Sequence, residues 1–406
     1  MRGIVVFLIV LPGILGAIGA CQSTTTVTSG PPSVCKAAGA LPAGKWFTDV
    51  TNDVGFAGIN GVRVSAADLD GDGWVDVVVH GAPSARDPLP APMKHVLMNH
   101  EGHFTDAIGE SGLLDSRDGS ATGRLSHLMV FGDVDNDGDL DAFSGTTQDA
   151  SYVPPASTDR SEILLNDGKG HFAFAPASGP SSSALPTSAA SFVDIDRDGL
   201  LDLFVGTFYL GNEGAGNRLY LGSGDGQLSD VSASSKVLRS AAGSSTSAFL
   251  AGNYRRPAYG VTACDVSGDG LPDLLVSSYG RGWNELWQNK GDGTFQEIGQ
   301  GTPFAADTDL EYHDNEFYHC WCKDNPGMCT PENSQPKVDC TSSSWQPGLD
   351  DQPARLGGNT FSTACGDLDN DGDLDLFHAE IRHWHIGESS DPSQILRNAI
   401  VNGVPT

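Results

Sequence analysis

The chain is short of positive charge. Its 406 residues carry 23 Lys and Arg against 52 Asp and Glu, a formal net charge of −29. A surface this acidic repels phosphate backbones, which argues against nucleic acid as a partner. Charged residues make up only 18% of the chain, and no long amphipathic helical pattern is evident, so helical bundles and coiled coils are disfavoured. After the first twenty residues no apolar run is long enough to span a membrane. The sequence also lacks a nucleophile elbow, a phosphate loop and H-E-x-x-H, the compact signatures of several large enzyme classes.

What the chain has in abundance is Gly, 51 of them, and Asp at a fixed spacing. The stretch "DLDGDGWVD" (68–76) is repeated as "DVDNDGDLD" (133–141), "DIDRDGLLD" (194–202), "DVSGDGLPD" (265–273) and "DLDNDGDLD" (367–375). Oxygen side chains stand at loop positions 1, 3, 5 and 9, with Gly at position 6. Calcium takes roughly 6–8 oxygen ligands in a flexible shell, and a Gly turn lets alternate side chains converge on one point. The predicted ligands are Asp68, Asp70, Asp72 and Asp76; Asp133, Asp135, Asp137 and Asp141; Asp194, Asp196, Asp198 and Asp202; Asp265, Ser267, Asp269 and Asp273; and Asp367, Asp369, Asp371 and Asp375. Five Ca²⁺ would bring the formal charge from −29 to −19, since −29 + 10 = −19.

These loops are not EF-hands, which need a bidentate Glu at position 12 between two helices. The segments around them are apolar and rich in β-branched and aromatic residues, as in "GVRVSAA" before the first loop and "VVVHG" after it. Each loop therefore joins two strands. A second signature follows at "VLMNHEGHFTD" (96–106), "ILLNDGKGHFAF" (163–174), "LYLGSGDGQLSD" (219–230) and "LWQNKGDGTFQE" (286–297), and begins again at "ILRN" (395–398). It reads as a hairpin. One unit is thus about four short strands, and the loop starts are separated by 65, 61, 71 and 102 residues. Four-stranded units in radial repetition are β-propeller blades, so the fold class is an all-β propeller with about five visible blades, complete or part of a larger one. "WFTDVTNDVGF" (46–56) matches the end of a repeat, and an N-terminal strand of this kind can complete the last blade and remove a free sheet edge.

The D-x-D-x-D-G-x-x-D loops and N-x-G-x-G-x-F hairpins, recurring at about sixty residues, resemble the FG-GAP/VCBS repeat family, which includes the integrin α-subunit propeller and cartilage-acidic-protein-like bacterial proteins. "FGDVDNDG" (131–138) and "HGAP" (80–83) carry the two halves of the name. The resemblance covers about residues 46–398. It implies calcium in loops on one face of a propeller and an extracellular binding or adhesion role. Ser267, in place of Asp, and the long fourth interval depart from the pattern.

"MRGIVVFLIVLPGILGAIGAC" has one basic residue, an apolar run and then small residues, the pattern of a secretory signal over 1–20. It resembles a bacterial lipoprotein signal, with Cys21 as the lipidated residue, an ordinary signal peptide being the alternative. Residues 21–45 then read as a lipidated Cys and a Ser/Thr/Pro/Gly tether. Localisation follows: export across a bacterial inner membrane, with lipid anchorage in the outer membrane or on the cell surface.

Eight Cys suit an oxidising compartment. Cys320, Cys322, Cys329 and Cys340 crowd an irregular Cys-rich insertion (305–358) that accounts for the long interval, and disulfides are expected there. Zinc is the alternative, although C-x-C lacks the usual zinc spacing. Cys264 and Cys365 each precede a loop in consecutive repeats, and could pair across blades or with the insertion. Without Cys21 the number is odd, which leaves at least one thiol unpaired or intermolecular. Residues 399–406 are a C-terminal tail.

The function expected is a secreted, membrane-tethered, calcium-binding propeller that binds or adheres to an extracellular protein or glycan. The competing reading is a metal-dependent lyase or hydrolase on extracellular glycans. It would use His378, Glu380, His383 and His385, with His313, Asp314, Glu316 and His319 facing them at one rim. An inert envelope protein is a third class. The lipid anchor is tested by Cys21→Ser, which should move the protein from membrane to soluble fractions; unchanged membrane association would reject the anchor.

Overall fold

A computed structural model describes residues 47–80, 94–119, 123–124, 126–146, 159–176, 179–182, 185–210, 213–241, 246–342, 345–398, 400–401 and 404–405. The leader, Cys21, the tether and Cys35 lie outside the described residues. Two compact units divide at Val50, and the repeats all belong to the second, Thr51–Thr406.

Apolar residues alternating with Gly-rich turns fold into five antiparallel sheets. The first blade runs β1 (Arg63–Ala67), β2 (Asp76–His80), β3 (His95–His100) and β4 (His103–Asp106). The second runs β5 (Leu128–Gly132), β6 (Asp141–Gly145), β7 (Glu162–Asn166) and β8 (Phe172–Phe174). The third has β9 (Thr187–Val193) and β10 (Asp202–Thr207). A small hairpin, β11 (Tyr209–Leu210) and β12 (Glu213–Gly214), is inserted before β13 (Arg218–Gly222) and β14 (Leu228–Asp230). A short helix, α1 (Thr246–Leu250), precedes the fourth blade of β15 (Ala258–Cys264), β16 (Asp273–Ser278), β17 (Glu285–Asn289) and β18 (Phe295–Glu297). The fifth has three strands, β19 (Thr360–Gly366), β20 (Asp375–Glu380) and β21 (Gln394–Leu396). The tail forms a small hairpin of its own, β22 (Ile400–Val401) and β23 (Val404–Pro405).

Within each blade the strands pair in chain order, so every aspartate loop lies at the same end. The first strands pack side by side in sequence, β1 on β5, β5 on β9, β9 on β15 and β15 on β19. Four cores fill the spaces between successive blades. The second strands are the most enclosed, with β6, β10 and β16 buried at every residue. These are the five blade-like sheets of a β-propeller type of fold.

Two polar devices join blade to blade. The Asn that opens a hairpin turn reaches the preceding loop: Asn166 Nδ2 donates to the Leu69 carbonyl at 2.8 Å, Asn289 Nδ2 to Ile195 at 2.9 Å and Asn398 Nδ2 to Val266 at 2.8 Å. The segment after a fourth strand then turns back as a latch on the next blade. Phe172 N–H donates to the Ser111 carbonyl and Phe295 N–H to Ser235. The N-terminal segment makes the same contact: Phe104 N–H donates to Val54, and Gly55 takes the left-handed conformation that Gly112 and Lys236 take in the other latches. Residues 51–56 thus act as the end of a repeat. Residues 47–50 are in no strand.

The fifth blade differs from the others on one face. Val134, Ile195 and Val266 at loop position 2 are buried, whereas Leu368 is 55% exposed, together with Phe377 and Ile395 on the same blade. In the first four blades this face is covered by the next.

The Cys-rich insertion is more regular than its composition predicts. It holds a nine-residue helix, α2 (Glu316–Asp324), whose N-cap Asn315 accepts from Phe317 N–H. Cys320–Cys340 and Cys322–Cys329 are disulfides, and both cysteines of the helix are buried. Cys264 pairs with Cys365, joining the first strands of blades four and five rather than reaching the insertion.

Each second strand begins with a buried Asp that accepts backbone N–H groups from two directions. For Asp141 these are Val134 at 3.0 Å and Asn166 at 2.9 Å. Its removal leaves two buried donors unsatisfied, at about 1–3 kcal/mol each. Asp141→Ala should therefore lower the melting temperature in chelator well below that of Asp137→Ala, whose side chain is exposed; equal melting temperatures would reject this bracing role.

Candidate metal centres and the opposite rim

All five loops have the same internal geometry. Position 6 is left-handed at Gly73, Gly138, Gly199, Gly270 and Gly372, with φ between 86° and 102°. Its N–H donates to the position 1 carboxylate, at 3.0 Å for Gly73 to Asp68 and 2.7 Å for Gly270 to Asp265. The N–H of position 7 donates to the position 5 carboxylate, at 2.8 Å for both Trp74 to Asp72 and Leu200 to Asp198. Position 4 is left-handed as well, at Gly71, Asn136, Arg197, Gly268 and Asn370. Two left-handed residues so close together coil the backbone tightly and turn the side chains of positions 1 and 3 inward, while position 5 stays exposed. Sequence reading saw the Gly at position 6 and missed position 4, because Arg197 there is not a turn-forming residue.

The carboxylates converge. One oxygen from each of Asp68, Asp70 and Asp76 lies within 4.8 Å of the others, as is true of Asp133, Asp135 and Asp141, of Asp194, Asp196 and Asp202, and of Asp367, Asp369 and Asp371. Several oxygens are buried without a partner: Oδ1 of Asp68, Asp135 and Asp194, and Oγ of Ser267. Orphan oxygens aimed at a common point fit a hard cation. Several of these groups could hold a metal ion.

The four positions are not equivalent. The position 9 Asp braces the sheet, its two oxygens accepting from position 2 of its own loop and from the third strand. The pairs are Leu69 and Asn99 for Asp76, Ile195 and Gly222 for Asp202, Val266 and Asn289 for Asp273, and Leu368 and Asn398 for Asp375. Burial pushes these carboxyls up, to about 6 for Asp76 and Asp273 and about 7 for Asp141 and Asp202. The loops also differ in their neighbours. His100 Nδ1 lies 2.8 Å from Asp72 Oδ2. In the fourth loop the Ser267 backbone N–H donates to Asp273 at 3.0 Å. In the fifth, the Arg397 guanidinium pairs with Asp369 and Asp371.

The end opposite the loops is aromatic. Residues that start a first strand or follow a second strand lie there by the antiparallel pairing. Phe208, Tyr209, Tyr259, Tyr279 and Phe361 form one cluster, with Tyr259 and Tyr279 centroids 4.6 Å apart. The insertion adds a second, in which Tyr312 stacks on Trp345 and Tyr318 on Trp321. The segments 309–322 and 377–391 do meet at this rim: Glu316 N–H donates to the His385 carbonyl at 2.9 Å, and the Phe317 ring stands 5.2 Å from His385. Trp384 beside them is 68% exposed.

A transition-metal centre is not assembled from these residues. His378 packs edge-to-face with Phe304, ring centroids 4.9 Å apart, and its burial holds its pKa down to about 4. His383 and His385 lie 5.3 Å apart on the exposed segment after β20. Among the described residues, every group of three metal-ligating side chains within 4.8 Å is built on the Asp loops, and none includes His378, Glu380, His383 or His385.

A family model described as the FG-GAP-like repeat matches residues 133–205 and 265–312. No curated protein matches the chain. Solved structures similar to it include an Agrocybe aegerita lectin described by its recognition of non-reducing terminal N-acetylglucosamine. That likeness has 16% identity and a TM-score of 0.38, covering 78% of this chain and 60% of the lectin. A putative exo-β-1,3-galactanase from Bifidobacterium bifidum is similar at 10% identity and a TM-score of 0.37, over 84% of this chain and 89% of that one. The V. cholerae biofilm matrix protein Bap1 is similar at 18% identity and a TM-score of 0.28, over 58% of this chain and 28% of that one. The two matched segments hold the second, third and fourth loops, and the first and fifth have the same loop, brace and strand pairing: the chain carries FG-GAP-like repeats.

Proposed function

We propose that the chain is a secreted, membrane-tethered propeller that holds calcium in its five loops and binds an extracellular glycan or protein through the opposite end. The calcium reading is supported by the converging carboxylates with orphan oxygens, all oxygen donors in a coiled loop. Calcium accepts such a flexible shell, whereas magnesium is smaller and insists on octahedral geometry. The fourth loop, with the neutral Ser267, is the weakest site.

The binding reading is carried by one observation: the exposed indole of Trp384 stands against His385, whose ring also meets Phe317 of the insertion, at the rim the two segments form. Flat apolar faces edged by polar groups suit the alternating faces of a sugar or the side chains of a protein partner. Net negative charge directs the choice toward neutral or cationic ligands.

Because folded loops bind the ion and unfolded ones do not, calcium adds about 2.7 kcal/mol per site at a hundredfold excess over Kd. The melting temperature should fall markedly in chelator and recover with calcium but poorly with magnesium. Asp135→Ala should lower calcium content by about one ion, more clearly than Ser267→Ala. A melting curve indifferent to chelator, with no calcium in the purified protein, would reject the loop reading.

For the opposite rim, glycan and protein arrays should yield a ligand whose binding drops about thirtyfold in Trp384→Ala, the loss of about 2 kcal/mol expected of an aromatic anchor. Calcium content should be unchanged in that variant. Full binding by Trp384→Ala would move the site elsewhere.

A further inference from the structure

At the end of blade five away from its loop, three consecutive polar residues are enclosed. Ser389, Ser390 and Asp391 are 0, 0 and 3% exposed, and Oγ, Oγ and Oδ1 respectively have no hydrogen-bond partner. Glu380, the last residue of β20, brings a further orphan oxygen, Oε2. Gly358 is what lets the two carboxylate side chains approach. A Cβ there would lie 2.3 Å from Glu380 Oε2 and 2.8 Å from Asp391 Cβ, so any larger residue would push them apart. The other oxygens are fixed: Thr360 Oγ1 donates to Glu380 Oε1, and Asp307 N–H donates to Asp391 Oδ2 at 3.4 Å.

No basic side chain offsets this charge; among the described residues neither carboxylate has an ion pair with Lys, Arg or His. Asp307 adds to the excess. The three carboxylates do not close to within 4.8 Å of one another as the loop carboxylates do. Burial first, and then the Asp307 charge, push Glu380 up to about 7 and Asp391 up to about 8. Buried carboxylates in this state hold either protons or a cation. A proton serves one pair of oxygens, whereas three orphan oxygens come from residues 389–391 and a fourth from Glu380. A hard cation takes many at once.

We propose that Glu380 and Asp391, with the adjoining serine hydroxyls, form a further divalent-cation site, of calcium or manganese class, at the end of blade five opposite the repeat loops. Asp307 opens the insertion and Asp391 ends the segment that carries Trp384. An ion here would tie both to the blade and set the rim in place.

The test is an ion count by native mass spectrometry on metal-stripped protein reloaded with calcium. Glu380→Gln combined with Asp391→Asn should carry one ion fewer than the unmodified chain. Asp135→Ala should lose a different ion, and the combination two. Anomalous diffraction from manganese-soaked crystals of the unmodified chain should place a peak between Glu380 and Asp391, a result that does not depend on the variant folding. An unchanged ion count in the double variant, or manganese peaks at the repeat loops alone, would overturn the site and leave the loop reading intact.

Discussion

The structure depends on one buried interaction, repeated five times. A carboxylate at the start of each second strand accepts one N–H from the loop before it and one from the third strand beside it. A single side chain thereby fixes the loop to its blade and sets the register of the hairpin. The residue whose N–H it takes in the loop offers its carbonyl to the Asn of the next blade in three of the repeats. Loop, blade and neighbour are tied through one residue. Apolar burial supplies most of the stabilisation, as in any such core, but it is non-directional, and these bonds determine which strand lies where.

The same arrangement concentrates negative charge. A brace that must be a carboxylate shares its loop with two or three further carboxylates, and in the first three loops coiling brings those of positions 1 and 3 toward it. Burial raises the brace pKa values, so the ion-free loops hold protons more tightly than isolated Asp would. A divalent ion would relieve that repulsion without disturbing the N–H bonds, because the oxygens open to it are those that have no partner. In the fifth repeat the Arg397 guanidinium already supplies positive charge to Asp369 and Asp371, so an ion there competes with a side chain of the protein itself.

Much of this was legible in the sequence because the repeats report one another. The apolar segments rich in β-branched and aromatic residues that flank each Asp loop gave the strands, and recurrence gave the blade. The division of labour within the loop was not legible: Asp76 and Asp68 are the same residue type, and only the three-dimensional path of the third strand separates brace from ligand. The inter-blade role of Asn166 was hidden in a hairpin signature that turn chemistry alone explains. Helix α2 was missed because its sequence, "EFYHCWCKD", has no apolar stripe of its own and is held by disulfides and an N-cap. The His/Glu cluster illustrates the opposite error. Residues alternating along β20 do share a face, but His378 is spent on packing against Phe304, and the chain leaves the sheet before His383.

The bond between Cys264 and Cys365 has a consequence for chain integrity. It closes a covalent circuit between residues 101 apart in sequence that contains all of the insertion and joins the first strands on either side. A protease that cut an exposed turn of the insertion would leave two polypeptides still covalently joined, with blade five still bolted to blade four. The insertion can thus be trimmed or lengthened, in evolution or in maturation, while the scaffold on both sides stays one covalent piece.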